Sequence, residues 1–116
     1  QIFKHYENEF LKFKNKNLNY FSDPIKGSKK TNCIMTDVWV SMGEKNNKEK
    51  YFKNFSVNKK IMNNAANNAI FMHCLPAKRG KEVTSEVLDS KNSVVLKQAK
   101  NRMYIQQAIL IYVLKK

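Results

Sequence analysis

Residues 69–80 read AIFMHCLPAKRG, a short apolar run followed at once by polar and reactive side chains. The run from Ala69 to Met72 has the length and composition of a buried strand. An imidazole, a thiol and a proline come directly after it, and a guanidinium follows at Arg79. In open α/β sheets, ligands bind in the crevice beyond the carboxyl ends of the strands. The stretch therefore predicts a strand that ends in a functional site.

A second run of the same kind, Cys33 to Thr36, precedes the sequence DVWVSMG at residues 37–43. If the two strands are parallel neighbours, Asp37 and Cys74 both follow a carboxyl end and open into one crevice. Asp37 is a short carboxylate that can accept hydrogen bonds from an ammonium group. The alternative for an aspartate at such a junction is a turn or N-cap role.

Hydrophobic periodicity and capping residues place the other elements. Helices are predicted over residues 2–16, 24–30, 48–54, 58–66, 84–88 and 98–114, and strands over residues 18–21, 33–36, 69–72 and 93–96. This alternation predicts the α/β class, with an open parallel sheet and helices on both faces.

The chain is strongly basic, with 22 Lys and Arg against 9 Asp and Glu and a formal net charge of +13. Only Arg79 and Arg102 are arginines, whereas base and phosphate recognition favours the guanidinium fork. The lysines are scattered and accompanied by many asparagines, a bias that an AT-rich coding sequence produces. We therefore interpret them mainly as a solvated surface.

The cysteine and histidine content argues against a disulfide framework and a metal centre. Cys33 and Cys74 are the only cysteines, and each lies in or just after a predicted buried strand. His5 and His73 are far apart in sequence and there is no CxxC pattern, so no metal is predicted. The most apolar stretch, residues 108–114, is too short to span a bilayer, so no membrane partner is expected.

Taken together, TDVWVSMGE at residues 36–44 and FMHCLPAKRG at residues 71–80 resemble the ornithine-binding half of an ornithine carbamoyltransferase. The resemblance continues in YFSDP at residues 20–24, in SVVL at residues 93–96 and in Asn101-Arg102. The two motifs DxxxSMG and HCLP, in this order, are more specific than either alone. The resemblance implies an incomplete Rossmann-like fold.

The resemblance also implies an activity, the transfer of the carbamoyl group from carbamoyl phosphate to the δ-amine of L-ornithine, giving L-citrulline and phosphate in arginine biosynthesis or catabolism. No cofactor and no metal is implied. Asp37 would contact ornithine, and Ser41 and Met42 would complete the amino-acid site. Cys74 would lie beside the δ-amine and, with Asp37, help to remove its proton.

Three residues are implied on the carbamoyl-phosphate side: Cys74, Leu75 and Arg102. The backbone carbonyl of Leu75 would face the carbamoyl nitrogen, next to a cis bond to Pro76. Arg102 would bind carbamoyl phosphate and stabilise the developing oxyanion. Arg79 would organise the loop or pair with a carboxylate. A catalytic thiol at Cys74 needs a lowered pKa, which one of the two arginines or a bound ammonium group could provide.

A chain of 116 residues is one domain at most, whereas the family needs roughly two. We expect residues 1–116 to be a partial C-terminal ornithine-binding domain that is inactive alone, with the N-terminal carbamoyl-phosphate domain absent from this chain. A homotrimer formed largely through that missing domain, a cytoplasmic location and no nucleic-acid partner are expected. The alternative is a basic nucleic-acid-binding domain or a non-catalytic carbamoyltransferase remnant, which lysines clustered on one face would favour.

Overall fold

The computed structural model describes residues 18–40 and 49–115. Helices and strands alternate along these ranges. In chain order they are α1 (Pro24–Ser28), β1 (Cys33–Thr36), α2 (Glu49–Phe52), a 3-10 helix (Lys53–Phe55), α3 (Lys59–Asn64), β2 (Ile70–His73), α4 (Ser85–Leu88) and α5 (Val95–Leu114). The alternation agrees with the predicted α/β class.

The two strands pair in parallel, with Cys33 opposite Ile70 and Thr36 opposite His73. Both strands therefore end at the same edge of the sheet, and the residues that follow them emerge side by side. The predicted parallel pairing is confirmed.

The predicted strand at residues 93–96 is wrong, because α5 begins at Val95. What remains of it is a single bridge between Ser93 and Phe71. Phe71 donates its N–H to the Asn92 carbonyl at 2.9 Å and accepts the Val94 N–H at 3.0 Å. This bridge places the start of α5 beside β2.

The hydrophobic core lies against one face of β2. Side chains alternate along this strand, so Phe71 and His73 point into the core while Ile70 and Met72 are only half-buried. Phe71 is completely buried, and burial of such a ring stabilises the fold by about 1.5–3 kcal/mol. The buried apolar cluster consists of Val57, Ile61, Phe71, Val83, Val87 and Val95.

Local capping explains where two of the short helices begin and end. The Asp23 side chain accepts the Ile25 N–H at 2.9 Å, and Pro24 occupies the first turn of α1. Asn58 caps α3 in the same way by accepting the Ile61 N–H at 3.1 Å. The predicted extension of α1 to residue 30 is wrong, because Lys30 has a left-handed φ of 57°.

Other predicted boundaries also change. Residues 18–21 form no strand, and the helix predicted over residues 48–54 is split into α2 and the 3-10 helix among the residues described. Cys33 is exposed rather than buried, because it shares with Met35 the face of β1 that the described residues leave uncovered. The helix predicted over residues 2–16 lies outside the described ranges.

Helix α5 packs on the sheet only through its beginning. The Gln98 side chain accepts the His73 N–H at 3.0 Å, whereas residues 100–115 are exposed. The helix starts three residues earlier than predicted. Searched over residues 18–40 and 49–115, the chain has no helix with the length and apolar character needed to cross a membrane.

Candidate active site

Asp37 and Cys74 meet directly at the ends of the two strands. The Cys74 thiol donates to Asp37 Oδ1 at 2.9 Å, and the same oxygen accepts the Val38 N–H at 2.7 Å. The contact follows from the register, because each residue comes one position after the last strand pair, Thr36 and His73. The prediction that Asp37 and Cys74 lie side by side at the strand ends is confirmed.

The thiol–carboxylate hydrogen bond shifts both groups away from their ordinary titration ranges. It is the main reason why the pKa of Asp37 is lowered, and the Val38 N–H adds to the effect. The same bond, followed by burial and by the Asp37 charge, raises the pKa of Cys74. The Arg102 charge acts in the opposite direction and lowers the pKa of Cys74, but its effect is the smallest of those acting on the thiol.

The lowered thiol pKa that a catalytic Cys74 would need is therefore absent from this structure, where the pKa is raised. The carboxylate lies in direct contact with the sulfur, so forming a thiolate would place two negative charges side by side. The pair holds one proton on sulfur and one negative charge on Asp37. This arrangement suits recognition of a positively charged group by Asp37.

We expect Asp37→Asn to make Cys74 more reactive toward an alkylating agent. Asparagine keeps the size of the side chain but removes the charge that disfavours the thiolate, so the pKa of Cys74 should fall. The thiolate is the reactive form. Alkylation by iodoacetamide at about pH 8 should accelerate by roughly threefold or more, since one pKa unit changes the thiolate fraction up to tenfold. Peptide mass spectrometry of the complete protein measures the rate at each cysteine.

Cys33 is the internal control for this measurement, because it is a free, exposed cysteine on the strand that precedes Asp37. Its alkylation rate should be the same in both proteins. An unchanged or slower reaction at Cys74 in the variant would contradict the raised pKa.

Arg102 is the third predicted site residue at this edge of the sheet. Its Nη1 donates to the backbone carbonyl of Cys74 at 3.1 Å. Gln98 lies one turn earlier on the same face of α5 and holds the His73 N–H. Gln98 was not predicted as a site residue, although its spacing of four residues from Arg102 indicates that both side chains face the same element.

The loop after Cys74 has an unusual backbone. The Leu75–Pro76 bond is cis, as the resemblance implies, and Leu75 has a left-handed φ of 56°. This φ costs about 1–2 kcal/mol in a residue with a Cβ. The Leu75 N–H donates to His73 Nδ1 at 2.8 Å, so a buried side chain holds the strained residue in place.

Glu82 is a second residue that the sequence analysis missed. Its Oε1 accepts the Lys78 N–H at 2.6 Å and lies 3.5 Å from His73 Nε2. Both side chains are completely buried. No feature of the sequence distinguishes Glu82 from the other acids, because its contact with His73 depends on the folded loop.

Two ion pairs fasten the outer part of this loop. Arg79 donates hydrogen bonds to Asp89 through both terminal nitrogens, Nη1 and Nη2, and the Nη2–Oδ1 distance is 2.8 Å. This confirms the predicted pairing with a carboxylate, and the pair lowers the pKa of Asp89. Lys81 Nζ lies 2.6 Å from Glu49 Oε1 at the start of α2. The loop is thereby joined to α2 and to the residue after α4.

Ser41 and Met42, predicted to complete the ornithine site, lie outside the described residues. Of the residues described, Asp37, His73 and Cys74 make up the one set of three side chains suited to a metal ion, with ligand atoms within 4.8 Å of one another. Asp37 Oδ1 and His73 Nδ1 already accept hydrogen bonds. A metal ion would have to compete with both.

Comparison with known proteins supports the reading of these motifs. The family described as "Aspartate/ornithine carbamoyltransferase, Asp/Orn binding domain" matches residues 1–113. An ornithine carbamoyltransferase of Methanococcus vannielii is 48% identical over 97 residues, which are 80% of this chain and 32% of that protein. An anabolic ornithine carbamoyltransferase of Pyrococcus furiosus is 50% identical over 95 residues, or 79% of this chain and 30% of that protein.

Solved structures give the same result. The ornithine carbamoyltransferase of Pyrococcus furiosus superimposes with a TM-score of 0.69 at 50% identity, covering 76% of this chain and 29% of that one. The anabolic enzyme of Campylobacter jejuni gives a TM-score of 0.73 at 40% identity, covering 81% of this chain and 32% of that one. The chain thus spans about a third of the length of these relatives. It belongs to the aspartate/ornithine carbamoyltransferase family, whose Asp/Orn-binding domain it matches over residues 1–113.

Proposed function

We propose that the complete protein transfers the carbamoyl group of carbamoyl phosphate to the δ-amine of L-ornithine, giving L-citrulline and phosphate. One observation carries the proposal. Asp37 and Cys74 are hydrogen-bonded at the joint ends of β1 and β2, with the Arg102 guanidinium on the Cys74 carbonyl. The relatives named ornithine carbamoyltransferase support the choice of substrate.

The charge state of the crevice fits an amine substrate. A primary amine with a pKa of about 10 is almost wholly protonated at neutral pH, and only its unprotonated form has the lone pair that attacks a carbonyl carbon. Asp37 keeps its negative charge because its pKa is lowered, so it binds the ammonium group and fixes its orientation. Before substrate binds, Cys74 is neutral, and the hydrogen bond that its thiol donates fixes the position of Asp37 Oδ1.

The transfer step balances as follows. The δ-nitrogen of ornithine forms a bond to the carbamoyl carbon, the bond from that carbon to the phosphate oxygen breaks, and phosphate leaves with the electron pair. The nitrogen loses one proton before the attack, when the ammonium becomes an amine, and a second as the tetrahedral intermediate collapses. We assign removal of the first proton to Asp37 and Cys74 acting together: because the thiol donates its own proton to Asp37, the Asp37 carboxylate is the acceptor and passes the proton to solvent. The departing phosphate is the acceptor for the second proton.

Arg102 is assigned to the carbonyl oxygen, where negative charge accumulates in the tetrahedral transition state. Its bond to the Cys74 carbonyl holds the guanidinium at the crevice before substrate binds. We place the Leu75 carbonyl against the carbamoyl nitrogen, and Ser41 and Met42 against the amino-acid end of ornithine. Binding and orientation of two substrates would supply much of the rate.

The remaining parts of the proposal concern the complete protein. We propose that a separate N-terminal domain binds carbamoyl phosphate, that the protein is a homotrimer assembled largely through that domain, and that it is cytoplasmic. The lysines on described helices are spread over α1, α2, α3 and α5. That the lysines are spread through the sequence rather than massed on one segment supports the transferase over a nucleic-acid-binding domain, for which clustered basic residues are typical.

We expect the complete protein to form citrulline from carbamoyl phosphate and ornithine, and residues 1–116 alone to form none. The reason is that nothing in this sequence matches the phosphate-binding motif of the family. A colorimetric citrulline assay on both purified proteins measures the difference. Citrulline formed by the short chain would contradict the division between two domains, and none formed by the complete protein would contradict the function.

A further inference from the structure

His73 and Glu82 are polar side chains in the apolar interior. Both are 0% exposed, beside the fully buried Phe71 and Val83. Within the described ranges, His73 Nε2 and Glu82 Oε2 have no hydrogen-bond partner. Burial of a polar group is costly unless it is hydrogen-bonded, so an unpartnered buried nitrogen or oxygen calls for an explanation. The two residues are therefore candidates for a specific role.

The contacts of His73 determine where its proton lies. Nδ1 accepts the Leu75 N–H at 2.8 Å, so this nitrogen carries no hydrogen. In the neutral ring the proton must then lie on Nε2, which faces Glu82 Oε1 at 3.5 Å. Nδ1 of the imidazole thus contacts the main chain at Leu75, while Nε2 faces the buried carboxyl group of Glu82.

These contacts hold the main chain of the crevice loop, residues 74–78, from inside the protein. His73 holds the Leu75 N–H and Glu82 holds the Lys78 N–H at 2.6 Å. From the outer side, Arg102 holds the Cys74 carbonyl. The Cys74 carbonyl and the Leu75 N–H belong to one peptide group, so Arg102 and His73 hold the same peptide plane, directly before the left-handed φ of Leu75.

We propose that His73 and Glu82 are positioning residues of the carbamoyl-transfer site. His73 holds the Cys74–Leu75 peptide by accepting the Leu75 N–H at an unprotonated Nδ1, and Glu82 accepts the Lys78 N–H. The main chain is thereby fixed on both sides of the Leu75 carbonyl, which we assign to the carbamoyl nitrogen. The inference rests on the proposed transferase function, and its structural part, the tautomer and the loop contact, is independent of it.

The same contacts separate this role from that of an acid or base acting on the thiol. The Cys74 thiol is directed to Asp37, while both His73 nitrogens face other groups. Among residues 18–40 and 49–115, the charged or titratable groups found against His73 are Glu82 and, from the strand ends, Asp37 and Cys74. Gln98 of α5 is uncharged and reaches only the His73 backbone. His73 therefore acts through the main chain.

Two amide substitutions of His73 in the complete protein test the contacts of Nδ1 and Nε2 separately. His73→Asn places an amide oxygen near the position of Nδ1 and can still accept the Leu75 N–H. His73→Gln places its amide near the position of Nε2 and loses that acceptor. We expect His73→Gln to lower kcat roughly ten- to hundredfold, since small misplacements in a site have effects of this size. His73→Asn should retain most of this activity. The alkaline limb of the pH–rate profile should stay in place for both.

Glu82 offers a matched pair of changes. Glu82→Gln keeps an oxygen for the Lys78 N–H and should retain most activity, whereas Glu82→Leu removes it and should lower kcat. Glu86→Gln is the control, because this exposed residue pairs with Lys59 on the surface. Circular dichroism and the melting temperature show whether each variant folds.

The tautomer of His73 can be tested by a measurement that does not depend on catalytic activity. Nitrogen-15 NMR of His73 in the complete protein should show an unprotonated Nδ1 and a protonated Nε2. The opposite tautomer would overturn the proposal whether or not any variant folds. Equal kcat losses in folded His73→Asn and His73→Gln, or a displaced alkaline limb, would overturn it as well. Wild-type protein that forms no citrulline while showing the expected tautomer would instead contradict the proposed function alone.

Discussion

Asp37→Asn in the complete protein is expected to lower kcat/KM for ornithine by roughly a hundredfold to a thousandfold. The amide has no charge to pair with the substrate ammonium and cannot take part in removing its proton. Ornithine saturation curves at a fixed, high concentration of carbamoyl phosphate measure the effect. Because the amide is nearly the same size, the fold should survive.

The pH dependence of the wild-type protein follows from the same residue. The pKa of Asp37 is lowered from its ordinary value of 3.8 by the Cys74 thiol and the Val38 N–H. A lowered pKa means that the contacts of the carboxylate add stability above the unfolded pKa, which is lost as pH falls through the folded value. The Asp37 contribution should therefore be constant near neutral pH and disappear only in strong acid.

Asp23→Asn is the matched control for the change at Asp37. It makes the same chemical substitution at the N-cap of α1, where asparagine caps as well as aspartate. Its kinetics should equal those of the wild type. If Asp37→Asn also behaved like the wild type, the crevice between the strand ends would not be the ornithine site.

Arg102→Lys should lower kcat/KM for carbamoyl phosphate by roughly a hundredfold or more, the usual effect of removing one donor to a developing oxyanion. Lysine keeps the charge but not the planar fork, so it cannot hold the Cys74 carbonyl and the substrate oxygen together. Saturation curves for carbamoyl phosphate measure the change. The KM for ornithine should alter much less.

Arg79→Lys provides the comparison, because Arg79 is the other arginine of the chain and its fork binds Asp89 outside the crevice. The same substitution there should have a much smaller effect on kcat/KM. Similar losses in both variants would mean that Arg102 acts only by fastening the loop. In that case the oxyanion would need a different donor.

Several features of this chain were predictable from local sequence, because short-range chemistry determines them. The apolar runs at residues 33–36 and 69–72 predicted two strands, and the polar residues after each predicted a common crevice. The Asp23-Pro24 pair predicted the start of α1. The wrong predictions lie at residues 18–21 and 93–96, where apolar residues have strand propensity. The first segment is irregular, and in the second only Ser93 bridges to Phe71 before α5 begins at Val95.

The motifs DxxxSMG and HCLP, read in order, were sufficient to assign the family, since a specific spacing of reactive groups is a property of the sequence itself. The direction of the Cys74 pKa was decided by tertiary structure, because it depends on a carboxylate 37 positions away that packing brings to 2.9 Å from the sulfur. The roles of His73 and Glu82 were decided in the same way. A buried hydrogen bond depends on distances in three dimensions, and only the folded loop brings His73 to the Leu75 N–H and Glu82 to the Lys78 N–H.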